Sequence, residues 1–181
     1  KIVHTEVSNM NRMRKVLIAD DEVKVGQLVK RLIQWDRLGL TCIGLVTDGQ
    51  TAYEKILSES PDIVITDIRM PVLTGLEMIQ KASEQGVKCH FIVVSGYKYF
   101  DYAQKALKYG VEDYLLKPID EDELNRQLQK IVAEEEQRED KQQQVDQIEK
   151  KLEDSKYLRH KEFLRQIPVS YTHLTLPTKR I

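Results

Sequence analysis

Asp20, Asp21, Asp67, Ser95 and Lys117 are the residues of this sequence whose types could combine into one reaction. Asp20-Asp21 follow the apolar run Val16-Leu17-Ile18-Ala19, and Asp67 follows Ile63-Val64-Ile65-Thr66. Ser95 follows Phe91-Ile92-Val93-Val94, and Lys117 follows Tyr114-Leu115-Leu116. Three carboxylates brought together repel one another, and at least one pKa must rise. A hard divalent cation such as Mg2+ relieves the repulsion, keeps several waters and leaves room for phosphate oxygens. Lys117 would bring a flexible point charge to a phosphate oxygen, and Ser95 a hydroxyl donor. A carboxylate is also a nucleophile toward phosphorus, forming an acyl phosphate. Cation, ammonium and hydroxyl would then stabilise the charge on the transferring phosphoryl group. Taken singly, each residue has a plainer role. Asp20-Asp21 and Asp67 suit helix caps or loops, Ser95-Gly96 a turn, and Lys117 a solvated surface. It is their joint placement that argues for a site.

That placement depends on the elements before each residue. The run Ile63 to Ile65 is β-branched and reads as a strand buried on both faces. Strands are likewise expected at Lys15–Ala19, Thr41–Val46, His90–Val94 and Asp113–Leu116. Helical spacing predicts a first helix over 22–35, with Val25, Leu28, Val29, Leu32 and Ile33 on one face. A second helix over 50–58 turns Ala52, Tyr53, Ile56 and Leu57 inward, capped by Thr47 or Asp48. A third over 74–85 carries Leu76, Met78, Ile79 and Ala82, and Gly86 suits a left-handed cap after it. A fourth is expected over 100–109, and a long helical pattern starts at Asp120. Five strands alternating with five helices imply a parallel sheet wrapped on both faces. In such open sheets ligands bind at the carboxyl ends of the strands.

The chain has 181 residues and a net charge of -1, so no basic excess marks the whole chain as a nucleic-acid binder. Cys42 and Cys89 lie far apart in apolar contexts and read as small core residues of a reducing compartment. No apolar run reaches the length of a membrane span, and no signal peptide is visible. A soluble cytoplasmic protein is the expectation.

The motifs together resemble the receiver domain of a two-component response regulator. Asp20-Asp21, Thr66-Asp67-Ile68-Arg69-Met70-Pro71, Ser95-Gly96 and Lys117-Pro118 carry the likeness, over residues 14 to about 130. It implies a flavodoxin-like five-stranded parallel sheet of order 2-1-3-4-5, with helices on both faces. It makes Asp67 the phosphoacceptor for a histidine kinase. Asp20 and Asp21 become the acidic pocket for Mg2+, joined by Asp67 and the backbone carbonyl of Arg69, with Asp21 the direct ligand of the pair. Ser95 and Lys117 would contact the phosphoryl group, and Lys117-Pro118 would be a cis peptide. Ser95 and Tyr114 form the expected switch, remodelling the surface of the last two helices and the fifth strand. Arg69 and Tyr97 line the approach to Asp67. Ile33-Gln34-Trp35-Asp36-Arg37-Leu38-Gly39, Ser95-Gly96-Tyr97, Tyr102-Ala103 and Gly110 to Pro118 resemble the YesN-like subfamily. Its usual output is an AraC-type DNA-binding module, which is missing from this chain.

The expected division is therefore an upstream segment over 1–12, a receiver over 13–130 and a helical linker over 131–167. Val169 to Thr178 resembles a translated transposase adapter from sequencing-library preparation, so 168–181 is expected to be an artefact tail. Residues 121–167 lack Gly and Pro and predict one long helix. Leu124, Leu128 and Ile131, then Val145, Ile148 and Leu152, keep coiled-coil spacing, with Glu135, Arg138 and Gln142 between them. The alternatives are a dimerising coiled coil and a solvated helix held by charge pairs. If the helix lacks its partner domain, Tyr157, Leu158, Phe163 and Leu164 are left uncovered. For the whole chain, the expectation is the switch of a transcriptional regulator. A stand-alone phosphorelay carrier is the alternative, and a dedicated enzyme is not expected. An aspartyl phosphohydrolase would usually place a second acid two residues after its nucleophile, where Arg69 stands.

Overall fold

The computed structural model describes residues 12–96 and 111–166; the side chains of 111–113, 160 and 163–166 are outside that description. The expected helix over 100–109, Tyr97, Tyr102, Ala103 and the two chain ends also lie outside it. Five parallel strands form one sheet in the order β2-β1-β3-β4-β5. They are β1 (Arg14–Ala19), β2 (Leu40–Val46), β3 (Ile63–Asp67), β4 (His90–Ser95) and β5 (Val111–Leu116). Every residue of β3 and β4 is buried, as expected for central parallel strands.

Alternate residues of each strand face opposite layers. Leu17, Ala19, Val64, Phe91 and Val93 pack with Ala52, Ile56, Leu76, Met78, Ile79 and Ala82. Those six come from α3 (Gly49–Glu59) and α4 (Gly75–Glu84). Val16, Ile18, Ile63, Ile65, Ile92, Val94 and Leu115 form the other core. They pack with residues of α1 (Val23–Leu32) and of α5 (Glu121–Gln166), and with Leu38 of the short α2 (Trp35–Leu38). Asp48 caps α3, accepting from the Thr51 N–H at 2.7 Å. Thr74 and Glu77 close a capping box on α4, and Asp120 accepts from the Glu123 N–H at the start of α5.

Four details differ from the sequence-based expectations. The first helix stops at Leu32 rather than at Trp35, and the chain restarts as α2. Asn125 is the physical reason. Its side-chain amide donates to the Leu32 carbonyl at 2.8 Å and accepts from the Gln34 N–H at 2.9 Å. The groups that the break would orphan are thus satisfied from 91–93 residues away. Second, Leu28 and Leu57 face solvent, although they share helical spacing with buried neighbours. Third, Gly26 is buried on α1 instead, tight against Leu45. Finally, Leu124, Leu128 and Ile131 do not open a seam. They are 0–1% exposed in the core beneath the sheet.

The chain divides into two compact units, residues 1–133 and 134–181. In the second, the described residues are helical, and Val145, Ile148 and Leu152 are exposed. An ion pair of 2.8 Å joins Glu135 to Arg138. Among the described residues, no helix is long and apolar enough to cross a membrane.

Candidate functional site

The sheet order reverses direction at β1, between its neighbours β2 and β3. Side chains at the carboxyl ends of β1 and β3 therefore share the crevice where no connection passes over the edge. Asp20 follows β1 directly, and Asp67 is the last residue of β3. The Asp20 N–H donates to the Val46 carbonyl at 3.0 Å, fixing the end of β1 against β2. Lys117 follows β5, and its N–H donates to the Ser95 carbonyl at 2.8 Å. The ends of β4 and β5 are thereby tied together. The Lys117-Pro118 peptide is cis.

The Lys117 Nζ lies 2.6 Å from an Asp67 carboxylate oxygen and 3.1 Å from one of Asp20. All three side chains are largely buried. One carboxylate oxygen from each of Asp20, Asp21 and Asp67 lies within 4.8 Å of the others. Asp20 and Asp67 are buried, whereas Asp21 is exposed at the mouth. One ammonium thus faces three carboxylates, and the pocket stays acidic. Burial pushes the Asp20 carboxyl above its usual range, against hydrogen bonds from Lys117 and the Glu22 N–H that lower it. Burial alone would lower the Lys117 ammonium. Its hydrogen bonds to Asp67 and Asp20 outweigh that, and the net direction is up. The donor set is all hard oxygen, so it fits Mg2+ in its chemistry. Asp20, Asp21 and Asp67 could hold the ion, with the carbonyl of Arg69 as the further expected donor.

The loop after β3 is pinned from below. Ile68, Met70 and Leu73 are buried, while Arg69 and Val72 face outward. The Arg69 N–H donates to the Asp67 carboxylate at 3.2 Å. The Gly75 N–H donates to the Ile68 carbonyl at 2.9 Å. A Cβ on Gly75 would stand 2.1 Å from the Asp67 carbonyl, and one on Gly49 would stand 1.8 Å from the Leu73 carbonyl. Only glycine lets α3 and α4 start so close to this loop. The Leu73 N–H donates back to the Pro71 carbonyl at 2.7 Å, around Val72 at φ 68°. That is a γ-turn with a β-branched centre, a conformation that costs about 1–3 kcal/mol. The strained turn lies in the loop that follows Asp67, and buried Ile68, Met70 and Leu73 anchor that loop.

Asp20, Asp67 and Lys117 are thus in direct contact, and Asp21 shares their pocket. Ser95 is buried at the end of β4, and Tyr114 packs against the core formed with α3 and α4. Tyr97 lies outside the described residues. Sequence reasoning missed the two close glycines, the turn at Val72 and the buried Asn125. A capping box was readable as Thr74-x-x-Glu77.

A sheet of this order with an acidic crevice at its carboxyl edge has the flavodoxin-like architecture of receiver domains. Residues 16–129 match the response regulator receiver domain family, and the chain belongs to that family. It is similar to the transcriptional regulatory protein YesN of Bacillus subtilis (strain 168), at 46% identity over 122 residues. The match covers 67% of this chain and 33% of that protein. It is also 35% identical over 120 residues to the transcriptional regulatory protein HptR of Staphylococcus aureus (strain NCTC 8325 / PS 47), covering 66% of this chain and 47% of that one. The chain therefore spans a third to a half of these relatives. Among solved structures, the receiver domain of AraT, a response regulator from Geobacillus stearothermophilus, matches with a TM-score of 0.67 at 36% identity. That match covers 71% of this chain and 99% of the other.

Proposed function

We propose that Asp67 accepts a phosphoryl group from a phosphohistidine of a histidine kinase. The observation that carries this reading is the contact of Lys117 with both Asp20 and Asp67 inside a three-carboxylate pocket. One Asp67 oxygen attacks phosphorus. The O–P bond forms, the P–N bond breaks, and its electron pair leaves on the imidazole. Mg2+, when bound, supplies charge neutralisation for the phosphoryl oxygens. Lys117 then trades its hydrogen bond to the Asp67 carboxylate for one to a phosphoryl oxygen. Ser95 offers its hydroxyl to another, and Tyr114 follows as the switch residue. Self-phosphorylation and slow self-dephosphorylation make it a switch rather than a dedicated enzyme.

The similarity to YesN and HptR, both named transcriptional regulators, supports a DNA-binding output beyond this chain. A stand-alone phosphorelay carrier is the alternative, and the helix running on to Gln166 favours the first reading. We place the protein in the cytoplasm and read the exposed stripe of α5 as a homodimer contact.

The test is intact mass after incubation with Mg2+ and a small phosphodonor. One phosphoryl group on the wild type, and none on Asp67→Asn or after chelation, is the expected result. Labelling of Asp67→Asn equal to wild type would overturn the assignment.

A further inference from the structure

We infer that two copies of this chain pair antiparallel through residues 134–166 of α5, with the two-fold near Lys150. This rests on the reading of the helix as a dimer contact and adds its direction.

Three observations lead there. The first is an unfilled apolar stripe. Val145, Ile148 and Leu152 recur at the spacing of one helix face and are 49%, 59% and 52% exposed. The second is that the local side-chain pairs seen along this stretch add little. Its neighbours are almost all charged or amide side chains, and pairs such as Glu135–Arg138 and Gln142–Asp146 are short-range. Such pairs contribute only a few tenths of a kcal/mol each to an exposed helix. The third observation sets the direction. Residues 134–149 carry seven acidic and two basic side chains, and residues 150–166 carry six basic and three acidic ones. The helix dipole does not require this split, because dipole effects fade within the first and last turns. The acidic block begins more than three turns inside the helix.

A parallel, in-register pair would lay the acidic block on the acidic block and the basic on the basic. An antiparallel pair centred near Lys150 lays each acidic block on a basic one. It also lays Ile148 of each copy on Leu152 of the other, since the two lie equally far from that centre. Charge complementarity of this kind selects register and orientation more than it adds affinity. With three apolar positions in the stripe, the pair is weak and depends on concentration.

Spin-label distances test the direction directly. In a background with Cys42→Ser and Cys89→Ser, one label is placed at Glu136→Cys or at Lys150→Cys. An antiparallel pair puts the labels at 150 close together and those at 136 about 40 Å apart, from the helical rise over 28 residues. Short distances at both sites would mean a parallel pair and overturn the proposal. So would the absence of any coupling at high protein concentration.

A second variant keeps the test independent of the cysteine background. Sedimentation equilibrium compares the wild type with Glu135→Gln/Glu139→Gln/Glu149→Gln, which in that register face Arg165, Lys161 and Lys151. Antiparallel pairing predicts association weakened roughly tenfold, and more weakly dependent on salt. A parallel pair would instead associate more tightly once like charges were removed. Phosphorylation of Asp67 in the same samples is read by mass. A failed pairing with intact phosphorylation therefore leaves the receiver assignment standing.

Discussion

Two stretches of α5 carry the same apolar spacing and meet opposite surroundings. Leu124, Leu128 and Ile131 are 0–1% exposed, while Val145, Ile148 and Leu152 are about half exposed. Periodicity states which residues share a helix face; it does not state what covers that face. The first three lie over Val16, Ile18, Ile63, Ile65 and Leu115 of the sheet. The second three have no such neighbours within their own unit among the described residues. One helix is thus part of a core for its first turns and carries an exposed apolar stripe in the second unit. Its stability has different sources along its length.

The largest expected effect follows from that contrast. Leu128→Ala removes a fully buried side chain and leaves a cavity, costing about 2–5 kcal/mol. Ile148→Ala should leave receiver stability within about 0.5 kcal/mol of wild type. Urea denaturation at a protein concentration that keeps the chain monomeric measures both. Equal losses at the two sites would break the comparison, because Ile148 would then have a covering surface in its own chain.

The strands and the charged residues at their ends were legible because each signal was local, whereas the strand order and the pocket came from the receiver resemblance and from joint placement. A β-branched run ending in Asp or Lys needs only its own residues to be read. The cap at Asp48 and the left-handed Gly86 were legible for the same reason. Other features depended on distant partners. The first helix was expected to continue to Trp35 because the apolar spacing of Val25, Leu28, Val29, Leu32 and Ile33 runs on to its end. What stops it is an amide some ninety residues away. Leu28 and Leu57 were placed inward by spacing, yet they sit just off the buried arc of their helices. The close approach at Gly49 and Gly75 was hidden too, since a glycine after Asp48 or Thr74 reads equally well as a plain turn. What needs a second segment of chain to explain it escapes a reading of one segment.

Asn125 sharpens the same comparison at intermediate size. It is buried, and its side chain makes three hydrogen bonds, to Leu32, Gln34 and Glu121. Asn125→Ala leaves the Leu32 carbonyl and the Gln34 N–H without that partner, at a cost of about 1–3 kcal/mol. Gln142 donates a side-chain hydrogen bond to Asp146 at the surface. Gln142→Ala should change receiver stability by no more than about 0.5 kcal/mol. Hydrogen exchange supplies the check, since the Gln34 amide should lose protection in Asn125→Ala before the sheet does. Retained protection there would mean that α1 ends at Leu32 for a reason within its own sequence.

The smallest effect concerns charge held in fixed positions rather than left in solvent. Asp48 is lowered from the ordinary carboxylate value by hydrogen bonds from the Thr51 backbone and hydroxyl. Glu77 is lowered by the Thr74 N–H and then its hydroxyl in the capping box. A carboxylate whose folded pKa is depressed stabilises the fold above its unfolded pKa, and that stability is lost as pH falls through the folded value. Receiver stability should therefore decline on acidification from about pH 4 downward, as these two caps begin to protonate. Asp48→Asn with Glu77→Gln should start slightly less stable at neutral pH and show a shallower acid limb. Asn still caps, so the change isolates the charge from the hydrogen bond. Urea midpoints at a series of acidic pH values measure the slope. An unchanged slope would place the acid sensitivity in other carboxylates and leave the caps as neutral hydrogen bonds. A flattened slope would show that the receiver orders its charge by fixed geometry, where the distal helix orders its charge only in blocks along the chain.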